Sequence, residues 1–162
     1  MEAAENAVER ILVVPREKLF HDKKFIGFLP ASGFDFLKII RENATFVERT
    51  EKLEKNVQLK QIIPYVIFLH DGKVFLYQRK SREMENRYAG LFSVGLGGHV
   101  KELERNGNVM ETIEESMERE FEEEIEYDGK KQLEFAGYIN FDFGIHEVHF
   151  GLVYIAHSLQ KI

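Results

Sequence analysis

Residues 109–126 admit essentially one secondary structure. Met110, Ile113, Met117, Phe121 and Ile125 recur at spacings of three and four, so they share one face of an α-helix that must be buried against a core. Asn108, three residues ahead of Glu111, has the spacing of a capping box with asparagine as the cap. Tyr127-Asp128-Gly129-Lys130 supplies a stop, in which Gly129 suits a left-handed position. The same helix carries Glu120, Glu123 and Glu124 beside Arg119. Carboxylates at i, i+3 and i+4 are neighbours and repel one another. On the helical wheel Glu124 falls between the directions of Ile113 and Met117, and Glu120 flanks the apolar stripe. A carboxylate on the border of a buried face is costly unless it is paired or metal-bound. A solvated acidic face is the competing reading, and the phase of the acids argues against it. A hard divalent cation that prefers oxygen, Mg²⁺ or Mn²⁺, would collect them, which points to metal-assisted phosphate chemistry.

Upstream, Ser93-Val94-Gly95-Leu96-Gly97-Gly98-His99-Val100 alternates glycine with apolar residues, as a strand does on entering a tight loop. A glycine pair lets the main chain approach a ligand, and its carbonyls can coordinate a cation.

Together these residues resemble the signature of the Nudix hydrolases, G-x5-E-x7-R-E-U-x-E-E-x-G-U, with U apolar. Seven residues, 112–118, separate Glu111 from Arg119-Glu120; Phe121 takes the apolar place and Glu123-Glu124 the paired acids. Gly97-Gly98-His99-Val100 is similar to the Gly-Gly-x-apolar segment of that family. Two departures stand out. Twelve residues lie between Gly98 and Glu111 where the pattern has five, the excess forming a polar insert around 101–107. Glu126 occupies the place of the glycine after the paired acids, and Tyr127 the last apolar place.

The resemblance implies an α/β fold, a Nudix-type α/β/α sandwich around a mixed sheet. It also implies a MutT-like pyrophosphohydrolase acting on a nucleoside diphosphate linked to another moiety. Glu120, Glu123, Glu124 and the Gly98 carbonyl become ligands of Mg²⁺ or Mn²⁺. Arg119 and Glu111 become an ion pair that braces them. Glu120 or Glu123 is the general base, with Glu147, a carboxylate beyond the helix, as the alternative base and plain solvation as the competing reading of that residue. Gly97, Gly98 and Arg79 are assigned to the substrate. Arg79 lies in a segment with Lys80, Arg82 and Arg87 that offers cations to phosphates, solubilising loop charge being the competing reading. Phe141 and Phe143 offer rings to a base, or else pack in a core, and His99, His146 and His149 read as structural. A catalytically silent Nudix-fold nucleotide-binding or regulatory module is the alternative, with little reason to keep three acids together. Isomerase chemistry on the same fold relies on a catalytic cysteine, and the chain has none.

Flanking segments fit such a domain over residues 59–162. An apolar run at 61–69, the turn pair Asp71-Gly72 and a returning strand at 73–79 read as a hairpin, as do 132–143 and 147–157 around Gly144. Residues 1–58 read as an α+β extension, with a strand at 10–15, a helix at 34–41 and a strand at 44–48. It is expected to pack on the Nudix sheet or on a dimer mate. Nudix domains usually continue into another strand and a C-terminal helix, which the sequence to Ile162 lacks; truncation, a minimal variant of the fold, or cover borrowed from a partner would each account for this, and an exposed sheet face favours association as a homodimer. A net charge of −6 without a basic stripe argues against nucleic acid as a partner. An acidic N-terminus, the lack of any membrane-length apolar run and the lack of cysteine point to the cytoplasm and a small-molecule substrate.

Overall fold

The computed structural model describes residues 8–78, 90–102 and 107–159. Its strands are β1 (Arg10–Pro15), β2 (Gly27–Pro30), β3 (Thr45–Glu48), β4 (Leu59–His70), β5 (Lys73–Val74), β6 (Tyr77–Gln78), β7 (Phe92–Ser93), β8 (Gly95–Gly97), β9 (Lys131–Asn140) and β10 (His149–Ser158). The helices are α1 (Arg16–Leu19), α2 (Phe36–Asn43) and α3 (Val109–Glu124), and short 3-10 turns occupy Leu53–Lys55 and Gly144–Val148.

Strand β4 organises the sheet because its run of branched and aromatic residues is long enough to be paired on both edges. On one edge it pairs in parallel with β10, from Gln61 opposite His149 to Leu69 opposite His157. Its other edge is antiparallel to β1 at Leu59–Gln61, to β8 at Tyr65–Ile67 and to β5 at Leu69–His70. Pro64 sits where that edge passes from β1 to β8, a place where a missing donor interrupts no ladder. The main path runs β2-β9-β10-β4-β1-β3, so the chain is α/β around a mixed sheet, with β1, β2 and β3 hydrogen-bonded into the sheet that carries β4, β9 and β10. Asp71 and Gly72 both have positive φ, 50° and 70°, as a type I′ hairpin turn requires.

Strand periodicity sorts the two faces. Leu12 and Val14 of β1, Ile62, Val66 and Phe68 of β4 and Phe150, Leu152 and Tyr154 of β10 share the main core cluster. Phe36 and Ile40 of α2 and Ile113, Met117 and Phe121 of α3 join it, the Phe121 ring meeting Phe68 edge-on at 5.3 Å. Ile11, Val13 and Leu53 form a smaller cluster on the other side of β1.

The sequence reading differs from the fold at several element boundaries. Helix α3 ends at Glu124 rather than 126, with Ile125 extended at φ −125° and ψ 120°. Ile125 is buried and Tyr127 packs 5.0 Å from Phe68, so core packing draws the chain out of the helix before Gly129 is reached. Gly129 accordingly takes no left-handed conformation. The strand expected at 73–79 is broken into β5 and β6, with an exposed Leu76 between them. The strand expected at 132–143 stops at Asn140, because Lys60 captures the residues that follow. Among the described residues no helix is long and apolar enough to cross a membrane.

Candidate functional site

Helix α3 is fixed at its start by its own side chains. Asn108 Oδ1 accepts from the Met110 and Glu111 amides at 2.9 and 3.1 Å, and the Glu111 carboxylate accepts from the Asn108 amide at 3.2 Å. Gly107 belongs to this cap, since a β-carbon there would overlap the Glu111 carboxylate. The structure thus places Glu111 at the N-terminus of the helix, two turns ahead of Arg119.

Arg119 ties the other half of α3 to the glycine segment. Its Nη1 donates to Glu120 at 2.9 Å and to Glu123 at 3.2 Å, while Nη2 donates to the His99 carbonyl at 3.3 Å. The Glu120 side chain is only 14% exposed, whereas that of Glu123 is 55% exposed. Glu120 lies against Gly98, where any β-carbon would collide with its carboxylate. Burial raises the pKa of Glu120, the charges of Glu123 and Glu124 push the same way, and Arg119 opposes them. Glu124 is exposed at the last helical position. Two carboxylates thus converge on one guanidinium nitrogen, with the Gly98 backbone at the same point. An all-oxygen donor set of this kind fits Mg²⁺ or Mn²⁺.

The remaining predicted site residues are placed as follows. Gly97 lies in β8 opposite Tyr65, where a β-carbon would come within 3.0 Å of the Pro64 carbonyl and 3.1 Å of the Tyr65 ring. Glu147 lies in the Gly144–Val148 turn, its carbonyl accepting from Arg16 at 3.3 Å. Phe141 and Phe143 have ring centroids 5.3 Å apart, both within about 6 Å of His146, and Phe143 is 61% exposed. Arg79, with Lys80, Arg82 and Arg87, lies outside the described residues.

Two groups escaped the sequence reading. Lys60 is fully buried and its ammonium donates to Asn140 Oδ1 (2.8 Å), Asp142 (3.2 Å) and the carbonyls of His149 (3.3 Å) and Phe141 (3.4 Å). Burial and neighbouring Arg16 lower its pKa against the pull of Asp142. The second group is Glu54, His99 and His149, each of which offers a donor atom within 4.8 Å of the others. His99 Nε2 lies 2.6 Å from Gln61 Oε1, and the two imidazoles meet edge-on at 5.9 Å. Burial, with help from Arg49, lowers the pKa of His99 to about 3; burial also lowers that of His149 to about 4. Both rings are therefore neutral near pH 7. The only local signal was a polar residue, Gln61 or His149, heading an otherwise apolar run.

Comparison with known proteins agrees with this geometry. The NUDIX domain model matches residues 60–161. Protein YmaB of Bacillus subtilis (strain 168) is 30% identical over 151 residues, spanning 90% of this chain and 73% of YmaB. The crystal structure of Tm1382, a candidate Nudix hydrolase, superposes with a TM-score of 0.75 at 33% identity, covering 93% of this chain and 76% of that one. With a NUDIX match over most of its length, laid on a helix whose acids gather at Arg119 and Gly98, the chain belongs to the Nudix family, which supports a hydrolase of the Nudix type.

Proposed function

We propose that this protein is a divalent-metal-dependent pyrophosphohydrolase acting on a nucleoside diphosphate linked to another moiety. The observation that carries the reading is the convergence of Glu120 and Glu123 on Arg119 Nη1 while Glu120 rests on Gly98. Glu120, Glu123, Glu124 and the Gly98 carbonyl hold the ion, Mg²⁺ or Mn²⁺. A bound divalent ion supplies charge that polarises the phosphates and acidifies a water. Arg119 orients the two carboxylates before the ion arrives, and Glu111 keeps the helix start in register. Glu120 or Glu123 takes the proton from the attacking water, with Glu147, from outside the helix, as the alternative base. Arg79, Gly97 and Gly98 flank the substrate, and the exposed Phe143 beside Phe141 offers a surface for a nucleobase.

A cytoplasmic protein acting on small molecules, without a nucleic-acid partner, fits the net charge of −6. A homodimer belongs to the same reading, and light scattering at micromolar concentration checks it, a monomer counting against it.

The test is phosphate release, coupled to a phosphatase, from a panel of nucleoside-diphosphate compounds with Mg²⁺ or Mn²⁺. Turnover should vanish in chelator and fall by about 10²-fold or more in Glu123→Gln. Silence across the panel with Mg²⁺ binding intact by calorimetry would support a nucleotide-binding module instead.

A further inference from the structure

Glu54, His99 and His149 come from a 3-10 turn, the glycine segment and the first residue of β10, and the sheet brings them together. One buried ring nitrogen of this group, His149 Nε2, has no hydrogen-bond partner. An unpartnered imidazole nitrogen in an interior calls for an occupant, either an ion or an ordered water. From this pairing of a donor cluster with an unpartnered ring nitrogen, we infer that Glu54, His99 and His149 form a second metal site, for a transition-metal ion of the Zn²⁺ class, separate from the α3 acids.

The donor chemistry selects the ion. Imidazole nitrogen suits Zn²⁺ and its neighbours, whereas Mg²⁺ takes oxygen, so this site and the helix acids divide the two kinds of cation between them. Burial raises the pKa of Glu54, but the hydrogen bond from Arg49 Nε at 2.9 Å, the Arg49 charge and Gln61 together lower it below the ordinary value. Gln61 holds His99 as an outer partner holds a ligating imidazole, fixing the ring. Tetrahedral Zn²⁺ with bonds of about 2.0–2.1 Å needs donors about 3.4 Å apart. The present limit of 4.8 Å therefore closes by at most about 1.4 Å, the scale of a side-chain adjustment. Three protein ligands leave a fourth position open to water or substrate. The ion would also anchor His99, whose carbonyl receives Arg119 Nη2, and so stiffen the support of Glu120.

The experiment uses the full chain stripped with chelator and titrated with Co²⁺, whose visible absorption reports nitrogen ligation and low coordination number. Zn²⁺ calorimetry supplies the stoichiometry. One equivalent should bind with a visible band that millimolar Mg²⁺ leaves in place. The band should persist in Glu123→Gln and weaken at least tenfold in affinity in both Glu54→Gln and His149→Gln. Lack of tight Co²⁺ binding would leave water as the occupant and overturn the inference. So would an unchanged band in both cluster variants, or its loss in Glu123→Gln. Should His149→Gln fail to fold by circular dichroism, Glu54→Gln decides alone. The readout is binding, so it stands or falls independently of the hydrolysis assay.

Discussion

The Glu120 carboxylate occupies the space that a β-carbon at Gly98 would fill. Helix and glycine segment are fitted to each other at this contact, and Arg119 clamps them through Glu120 and the His99 carbonyl. Gly98→Ala should push Glu120 aside without straining the backbone, because Gly98 does not have a positive φ. We expect roughly tenfold weaker Mg²⁺ binding by calorimetry and a loss of about 10²-fold in hydrolysis, since misplacement by about an ångström is that costly. Wild-type affinity in the variant would separate Gly98 from metal binding.

Glu120 should cost the metal-free protein stability. Its folded pKa is raised above the ordinary glutamate value of 4.5, so above that pH the native state bears a charge that the unfolded chain carries more cheaply. Native stability therefore falls as pH rises through the window just above 4.5. In chelator, Glu120→Gln should show the higher urea midpoint at pH 7, and the two proteins should converge below pH 4. Saturating Mg²⁺ should reverse the order, because only the wild type gains from ligand binding.

Acid should act on the other cluster in the opposite sense. Burial lowers the pKa of His99 to about 3 and that of His149 to about 4 in the folded protein, against 6.5 for an ordinary imidazole. Between those values the unfolded chain binds more protons, so stability is full above pH 6.5 and is lost as pH falls toward 4. Urea midpoints of chelator-treated protein at pH 7, 6, 5 and 4 should decline steadily. His149→Gln should flatten that slope; an equally steep decline would mean that burial of His149 is not its cause.

Lys60→Met should destabilise the fold by about 3 kcal/mol, the usual range for removing one partner of a buried charged network. The substitution leaves Asn140 Oδ1 and the carbonyls of Phe141 and His149 without their donor. Asp142 keeps Arg16 at 2.6 Å, so the loss should come from the interior acceptors rather than from that ion pair. Chemical denaturation checks the magnitude, and a change below about 1 kcal/mol would mean that water replaces the ammonium.

How much of this was legible in the sequence follows the range of the interactions. The Asn108–Glu111 cap, the apolar face through Ile113, Met117 and Phe121 and the Asp71-Gly72 turn depend on residues within a few positions, and each appears as read. Ile125 shows where local signals lose: a glycine stop was available at 129, yet burial of Ile125 ended the helix first. Lys60 and the Glu54–His99–His149 group are products of register. They exist because β10 lies parallel to β4 with His149 beside Gln61, a pairing that no spacing in the chain encodes.

That same pairing has a kinetic consequence. A parallel neighbour cannot be reached by a hairpin, so β4 waits for the chain to travel from residue 61 to residue 149 before its second edge is satisfied. Contacts of such sequence separation carry the loop-closure cost early and return it late, which slows folding. Helix α3 and its acids lie within that loop, so they can form locally long before β10 docks beneath them. During synthesis β4 would meanwhile present a long apolar edge, the kind of surface that chaperones shield.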